Sequence, residues 1–248
     1  MLLTSPRLNA LPGVVHGFST RLGGCSRGPL DSLNLAWDRG DEADNRENWR
    51  RVCVAVGLPE CAVSVVHQVH GDRVWAARPG GDPLKAQADA DAIFTQRPNE
   101  LVAVRTADCV PILLAGPGVV AAVHAGWRGT AKGIAGLAVT AICESAQCEP
   151  DQLVAAIGPC IGLDAYEVGE EVVDGLSRLV EPKHFLRRGG ARPHVDLKAA
   201  NAAILTQAGV LDIDVLAHCT HSDEAFFSHR REGASTGRMA AVIGFQTQ

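Results

Sequence analysis

The stretch of residues 90–124 constrains the fold more than any other part of the chain, because it holds four short apolar segments in succession. These segments are rich in β-branched residues, and Gly, Pro or polar residues separate them, which is typical of strands and turns. The connections are too short for the crossovers that parallel strands need, so mostly antiparallel pairing is expected. The predicted strands are residues 90–95, 101–106, 110–115 and 119–124.

Helices and further strands surround this run. Apolar residues recur at helical spacing after residue 130, and Asp196 is placed to cap a helix that ends at Gly209. Helices mixed with antiparallel strands predict an α+β fold built of packed layers. The predicted helices are residues 44–56, 130–145, 168–180 and 197–208, and the further strands are residues 14–18, 63–69, 73–77, 153–157, 213–217 and 240–245.

The composition excludes several classes of protein. A chain of 248 residues that is 46% hydrophobic and 21% charged is expected to form one domain over residues 1–248. A net charge of -5 with no basic run argues against a nucleic-acid partner. The N-terminus lacks the pattern of a secretory signal, and no apolar run is long enough to span a bilayer, so a cytoplasmic protein without a membrane partner is expected.

The eight cysteines do not predict a disulfide framework. The chain is too long for a small disulfide-stapled domain, and a cytosolic protein keeps its thiols reduced. No Cys-x-x-Cys pair is present, which argues against zinc-ribbon and thioredoxin-like sites. Most of these thiols, including Cys160 in a Gly-Pro-Cys turn, are therefore expected to be small buried apolar side chains.

Polar residues concentrate where predicted strands end, and three of them suggest a metal site. His70, Cys109 and His124 each end or follow a strand, so a sheet edge could bring them together. Zinc prefers His and Cys, and a catalytic zinc keeps three protein ligands with one open position. Their spacing matches no compact zinc motif, so from the residues alone a core cysteine and hydrogen-bonded histidines remain the alternative.

The same residues also fit nucleophilic catalysis. Cys109 could attack a substrate, with His124 as its base and Asp108 or another carboxylate orienting the histidine. Metal binding and thiolate chemistry both require the deprotonated sulfur, so the sequence does not separate them.

A third pattern suggests an anion site. Residues 126–130 read Gly-Trp-Arg-Gly-Thr between a strand and a helix, where backbone N–H groups and Arg128 could face a phosphate or carboxylate. A simple turn with a solvated arginine is the alternative. Arg230, Arg231 and Arg238 form a second cationic set, for which a solvated surface is the simpler interpretation. His67 is offset by three residues from His70, which on a strand places the two on opposite faces.

Together these segments resemble the YfiH-like laccase-domain family, also called the polyphenol oxidase or purine nucleoside phosphorylase family. Each motif alone is weak, but their number and order make the resemblance specific. The matching motifs are residues 17–21, 23–24, 32–35, 68–71, 88–92, 106–111, 124–129, 157–159, 166–168, 196–197 with 201, 219–220, 226–228 with 230–231, and 237–238.

The resemblance implies a four-layer α/β/β/α sandwich with mixed, largely antiparallel sheets. It implies a zinc ion held by His70, Cys109 and His124, which would favour the metal interpretation. It also implies phosphorolysis of adenosine, inosine and methylthioadenosine, together with adenosine deamination. The partners would then be a nucleoside and phosphate, and the oligomeric state stays open.

Roles for further residues follow from the implied reactions. Arg128 and Arg230 are expected to bind phosphate, and Asp108 is expected to shuttle a proton or to hold a metal-bound histidine. Ser19, Arg21 and Asn34, which lie in the matching motifs, are expected to bind substrate or phosphate.

Three rival functions remain. The chain has nine His and no His-x-His pair, which argues against a multinuclear copper centre, but a single copper in the zinc site could support polyphenol oxidation. A metal-free cysteine hydrolase or amidase acting on cell-wall precursors would use Cys109 and His124. A binding module would instead hold a structural zinc, with His67 or His218 as the fourth ligand.

Overall fold

The computed structural model, which describes residues 1–246, contains two β-sheets stacked face to face with helices on both outer sides. The strands are, in chain order, β1 (Leu2–Leu3), β2 (Val14–Ser19), β3 (Ala62–Val65), β4 (Val74–Ala76), β5 (Ala92–Thr95), β6 (Glu100–Thr106), β7 (Val110–Gly116), β8 (Val119–Ala125), β9 (Val154–Ile157), β10 (Leu186–Arg187), β11 (His194–Val195), β12 (Asp212–Val215) and β13 (Met239–Phe245). The α-helices are α1 (Pro6–Asn9), α2 (Glu42–Val56), α3 (Trp127–Ala131), α4 (Ile134–Ala146), α5 (Glu170–Ser177), α6 (Leu197–Gln207) and α7 (His229–Glu232).

The two large sheets are mixed and largely antiparallel, as predicted. One sheet has the order β1-β2-β13-β6-β3 and the other has the order β12-β9-β7-β8-β5-β4. Three pairs are parallel, namely β3 with β6, β4 with β5 and β9 with β12, and the other pairs in these sheets are antiparallel. A small separate sheet joins β10 and β11.

Strand alternation divides the apolar residues between the layers. In β8, Val120 and Ala122 pack between the two sheets, whereas Ala121 and Val123 face the helices. In the facing sheet, Val102 of β6 likewise packs between the sheets. This period of two gives each sheet apolar residues on both faces, which sheets covered on both sides require.

Helices close both outer faces and complete the predicted four-layer α/β/β/α sandwich. Trp49 and Val52 of α2 pack on the five-stranded sheet. Ile134 and Ala138 of α4 pack on the six-stranded sheet, together with Ile204 of α6. The side chain of Asp196 accepts a hydrogen bond from the N–H of Ala199, so the predicted cap of α6 is confirmed.

Several predicted elements differ from the structure. The run of four strands does not form one sheet, because β6 joins the five-stranded sheet while β5, β7 and β8 belong to the other. The helix predicted over residues 130–145 is two helices, α3 and α4, separated at Gly133, whose positive φ of 78° breaks the helical path. The strand predicted over residues 63–69 ends at Val65, where the chain turns towards the polar segment around His70.

Two further observations concern the thiols and the helices. The eight cysteines are free, and only Cys53 and Cys160 are buried, so the expectation that most of them are buried is wrong. Six are half-buried instead, because they lie on helix faces, in loops or at strand ends rather than between the sheets. Within residues 1–246, no helix has the length and apolar character needed to cross a membrane.

Candidate metal centre and its cavity

Three polar segments that follow or end strands meet at one end of the sandwich. His70 lies in the loop after β3, Cys109 lies between β6 and β7, and His124 belongs to β8. Their nearest ligand atoms all lie within 4.8 Å of one another. The Nε2 of His70 is 3.8 Å from the Sγ of Cys109, and the two imidazole rings stand almost perpendicular with centroids 4.9 Å apart. One sulfur and two imidazole nitrogens are a donor set that suits zinc.

Asp91 fixes the two histidines from behind. Its carboxylate lies 2.8 Å from the Nδ1 of His124 and accepts backbone hydrogen bonds from Val69, His70 and Gly71 at 3.2, 3.0 and 2.6 Å. Because a carboxylate accepts here, Nδ1 of His124 carries a proton, which leaves Nε2 as the ring nitrogen available to a metal. Burial raises the pKa of Asp91, but these hydrogen bonds outweigh it and hold the pKa below its usual range.

The turn that carries His70 has an uncommon backbone conformation. His70 has a φ of 57°, in the left-handed region that few non-glycine residues adopt. The hydrogen bonds from the His70 and Gly71 N–H groups to Asp91 hold this turn in place. Asp108, directly before Cys109, has a φ of 95°. Local strain beside two of the three donors is typical of functional sites, where the surrounding structure maintains it.

The charges of the metal-free cluster favour an ion pair. Burial raises the pKa of the Cys109 thiol, but the imidazoles of His124 and His70 outweigh burial and lower the pKa to about 6. Burial lowers the pKa of His124, but Cys109 and Asp91 outweigh it and raise the pKa to about 9. Between these values the sulfur is a thiolate and His124 is an imidazolium. A thiolate is both a metal ligand and a nucleophile, so these charges suit either chemistry.

Gly126 leaves the space that the donors occupy. A Cβ at this position would lie 2.9 Å from Cδ2 of His70 and 3.1 Å from Sγ of Cys109. The φ of Gly126 is -71°, which any residue can adopt, so the close approach of the two donors is the reason that a side chain is excluded here.

The cluster lies on the wall of a cavity of about 570 Å³. Aromatic side chains are concentrated there, since the only tyrosine of the chain, Tyr166, and two of its four tryptophans, Trp37 and Trp127, line it. Arg128 lies over the ring of Trp127 at 4.4 Å, and Arg230 lies over the ring of Tyr166 at 5.2 Å. The cavity therefore offers apolar ring faces and positive charge beside the donor cluster.

Asp108 lies on the cavity wall, but its carboxylate faces partners other than the cluster histidines. One oxygen accepts a hydrogen bond from the hydroxyl of Thr220 at 2.6 Å, and the other accepts from the backbone N–H of Arg230 at 2.7 Å. The carboxylate that contacts His124 is that of Asp91. The expectation that Asp108 holds a metal-binding histidine is therefore wrong, and Asp91 has that position instead.

The other predicted binding residues lie outside the cavity lining. The hydroxyl of Ser19 accepts a hydrogen bond from the backbone N–H of Ala240 at 2.9 Å. Arg21 forms an ion pair with Glu232 at 2.8 Å. Asn34 is buried, and its side-chain oxygen accepts a hydrogen bond from the N–H of Arg238 at 3.0 Å. These contacts tie the loops around the cavity together.

The other histidines considered from the sequence do not join the cluster. His67 lies 2.8 Å from the carboxylate of Asp89 and packs edge-on against Trp37. His218 lies 3.6 Å from the carboxylate of Asp223. Within residues 1–246, the donor group around Cys109 is the one His, Cys, Asp and Glu grouping that could hold a metal, and it contains three residues.

Asp91 and Arg105 are the main residues that the sequence interpretation passed over. Asp91 is fully buried between two alanines, and in the sequence it was recognised only as part of a motif shared with the family. Arg105 lines the cavity and follows four apolar residues within its buried strand. A charged residue within a buried strand was the available signal, because such residues are seldom buried without a partner.

The chain is similar to known proteins over nearly its whole length. A family model described as multi-copper polyphenol oxidoreductase laccase matches residues 15–246. The chain is 40% identical over 245 residues to a purine nucleoside phosphorylase of Deinococcus radiodurans, covering 98% of this chain and 92% of that protein. It is 37% identical over 236 residues to the purine nucleoside phosphorylase YfiH of Escherichia coli, covering 93% of each. The crystal structure of YlmD from Geobacillus stearothermophilus superposes with a TM-score of 0.90 at 36% identity, covering 98% of this chain and 94% of that one.

Proposed function

Because this chain belongs to the multi-copper polyphenol oxidoreductase laccase family, we propose that it is a purine nucleoside phosphorylase with one zinc ion held by His70, Cys109 and His124. The observation that carries the proposal is the position of three zinc-type donors on the wall of a cavity that also presents aromatic rings and arginines. Three protein ligands leave an open position, as catalytic zinc sites do.

The proposed substrates are adenosine, inosine and methylthioadenosine, and adenosine deamination is proposed as a second activity. Relatives at 37% and 40% identity carry the name purine nucleoside phosphorylase, which supports the first reaction. A cavity of about 570 Å³ is within the usual range for small-molecule sites. Its rings suit a purine, because a flat apolar base packs favourably on an aromatic face.

The donor set fits zinc on its own chemistry. Asp91 interacts with Nδ1 of His124, so Nε2 can bind a metal in place of a proton, and the Cys109 sulfur is readily deprotonated. When bound, zinc supplies Lewis acidity and lowers the pKa of water towards about 7. The same donors suit copper, so a single copper at this cluster is the form of polyphenol oxidase that these residues allow.

In phosphorolysis, an oxygen of phosphate bonds to C1′ of the ribose while the bond from C1′ to the purine nitrogen breaks. The bonding electrons leave with the purine, which takes up a proton, and the products are the free base and ribose 1-phosphate. Arg128 and Arg230 attract the phosphate and offset its charge. Burial raises the pKa of Tyr166 to about 12, so its hydroxyl keeps its proton and can donate a hydrogen bond to the substrate.

Asp108 supports this chemistry through position. Its hydrogen bond from the Arg230 N–H places the start of α7 against the cavity, and its hydrogen bond from Thr220 fixes its own side chain. A direct proton transfer by Asp108 would require one of these contacts to open.

The test compares chelated and zinc-restored protein. Each sample is incubated with adenosine, with and without phosphate, and the products are separated by chromatography. We expect adenine and ribose 1-phosphate only with phosphate, inosine with or without it, and loss of both reactions on chelation with recovery on adding zinc. A folded, zinc-loaded protein that forms no product would contradict the proposal.

A cysteine hydrolase or amidase is the second candidate, because the structure contains a Cys109–His124–Asp91 arrangement. The imidazole of His124 interacts with the Cys109 thiol and lies 2.8 Å from the Asp91 carboxylate, an order that also serves nucleophilic catalysis. Chelation would spare such an enzyme and alkylation of its thiol would inactivate it. The same chelated sample, assayed on amide substrates that resemble cell-wall precursors, therefore separates the two candidates.

A further inference from the structure

A buried arginine on the cavity wall has one nitrogen without a hydrogen-bond partner in the described part of the chain. Arg105 of β6 is 6% exposed, and its Nη2 donates to the carbonyl of Val66 at 3.0 Å. Its Nη1 is also buried and has no hydrogen-bond partner among residues 1–246. A buried, charged donor without an acceptor lowers the stability of the folded protein. We therefore expect a bound ligand to supply the acceptor for Nη1 of Arg105.

Two further arginines line the cavity with Arg105 and increase its positive charge. Arg238 donates to the backbone carbonyls of Thr236 and Gly237, which are neutral acceptors. Arg39 pairs with Asp38 at 2.9 Å. Arg39, Arg105 and Arg238 are here called the guanidinium pocket. Asp38 is the carboxylate that acts on all three, and Asp108 acts on Arg238 as well, so three positive charges face two carboxylates.

The electrostatics of the guanidinium pocket agree with this excess of charge. Burial lowers the pKa of Arg105, Asp38 opposes this change and Arg238 adds to it, and together they bring the pKa to about 10. Burial and Arg39 likewise lower the pKa of Arg238. All three side chains remain charged near neutral pH, so their repulsion favours binding of an anion between them.

We propose that the guanidinium pocket is the binding site of the phosphate co-substrate, an assignment that rests on the proposed phosphorylase function. Guanidinium groups match the oxygens of phosphate with paired hydrogen bonds, and these bonds strengthen when water is excluded. The guanidinium pocket and the three donors of the metal cluster line the same cavity. Phosphate held there would share the cavity with a nucleoside bound beside the cluster.

Arg128 and Arg230 have a different place and role. Both are exposed, and each lies over an aromatic ring of the cavity wall. Exposed charges are screened by water and salt, so these residues suit attraction of phosphate from solution more than tight binding. Arg105 is buried, and its Nη1 has no partner within residues 1–246, so it suits binding of phosphate inside the cavity.

The test measures binding of inorganic phosphate to the zinc-loaded protein by titration calorimetry. Arg105→Gln should weaken phosphate binding at least tenfold, and Arg105→Lys should restore only part of it because lysine lacks the planar fork. The control is Arg50→Gln, which removes an exposed arginine of α2 paired with Glu47 and should leave binding unchanged. Arg105 variants that bind phosphate as the wild type does would overturn the assignment.

A second variant keeps the test valid if Arg105→Gln does not fold. Asp38→Asn removes the competing carboxylate at an exposed position, so phosphate binding should tighten several-fold. Unchanged or weaker binding would contradict the proposal. Titration with AMP identifies the source of the phosphate group, because an Arg105-dependent preference for AMP over inorganic phosphate would assign the pocket to nucleotides and overturn the co-substrate role.

The experiments distinguish a failure of the guanidinium pocket as the phosphate site from a failure of the proposed phosphorylase function. Phosphate binding that depends on Arg105 without any phosphorolysis would retain the pocket as an anion site and reject the phosphorylase function. Phosphorolysis in Arg105→Gln with an unchanged KM for phosphate would retain the function and reject the pocket.

Discussion

Cys109 and Cys160 are two thiols of one chain with opposite acidity. Burial is the largest influence on both, and in each case it raises the pKa. At Cys109 two imidazoles reverse that effect and bring the pKa down to about 6. Cys160 lies in the apolar core with 0% exposure, and its pKa stays raised because the lowering effect of Lys198 is weaker than burial.

The difference shows that the partners of a cysteine, more than its burial, determine its chemistry. Both thiols lie in loops beside strands of the six-stranded sheet, since Cys109 directly precedes β7 and Cys160 follows β9 by three residues. Only Cys109 has two histidines and a buried carboxylate arranged around it. We therefore expect reactivity and metal binding at Cys109, and a packing role at Cys160.

The largest expected effect separates the two cysteines by substitution. Cys109→Ala removes one of the three donors. Loss of a residue that only hydrogen-bonds a metal ligand lowers metal affinity by up to about 100-fold, so loss of a ligand itself should lower zinc affinity by more than that. Phosphorolysis should be lost with the zinc. Cys160→Ala should keep zinc and activity, and lower the free energy of unfolding by about 1 kcal/mol. Metal content after dialysis at fixed free zinc measures the first effect, and urea unfolding measures the second. Equal zinc retention in both variants would remove the distinction.

The next effect concerns the carboxylate behind the donors. Asp91→Asn replaces the acceptor of the His124 Nδ1 proton, so zinc affinity should fall about 10–100-fold. The matched variant is Asp108→Asn, whose carboxylate contacts Thr220 and the Arg230 N–H instead. It should leave zinc affinity within about threefold of the wild type. Competition with a chromophoric chelator measures both affinities, and a larger loss in Asp108→Asn would contradict the roles assigned to these carboxylates.

The sequence predicted the layers of the fold better than their connections. Alternation and helical spacing predicted most strands and helices, because each depends on neighbouring residues. The assignment of β6 to the other sheet was missed, since the period of two is the same whichever sheet a strand joins. The break at Gly133 was missed as well, because the apolar residues on either side keep the helical spacing.

The sequence likewise predicted some residues of the candidate site and missed others. Resemblance to a family predicted His70, Cys109 and His124 as zinc ligands, and the structure brings these three side chains together. Asp91 and Arg105 were not assigned roles, because their roles depend on contacts with His124 and Val66. These residues are more than 30 positions away in the sequence, and residue spacing does not predict such contacts. Arg21 and Asn34 illustrate the converse, since they belong to matching motifs and yet hold loops outside the cavity lining.

A smaller effect compares the two thiols in metal-free protein. The folded pKa of Cys109 is lowered, so its thiolate should persist as the pH falls and be protonated only below about pH 6. Alkylation by iodoacetamide should therefore show a midpoint near pH 6 at Cys109, against about 8.5 for an ordinary thiol, while Cys160 should stay unreactive in the folded protein. His124→Gln should move the Cys109 midpoint upwards. Peptide mass spectrometry assigns each site, and a midpoint near that of an ordinary thiol in the wild type would contradict the ion pair.

The smallest effect tests the space between the donors. Gly126→Ala would place a methyl group 2.9 Å from His70 and 3.1 Å from Cys109, so the donors must move apart and zinc affinity should fall about tenfold or less. The matched variant is Gly162→Ala, whose methyl group would lie 3.2 Å from the Sγ of Cys219, a thiol outside the cluster. Both variants introduce the same atom beside a sulfur, but only Gly126→Ala should change the zinc affinity. If both variants bound zinc like the wild type, the donors would tolerate displacement, and the lack of a side chain at position 126 would not be needed for zinc binding.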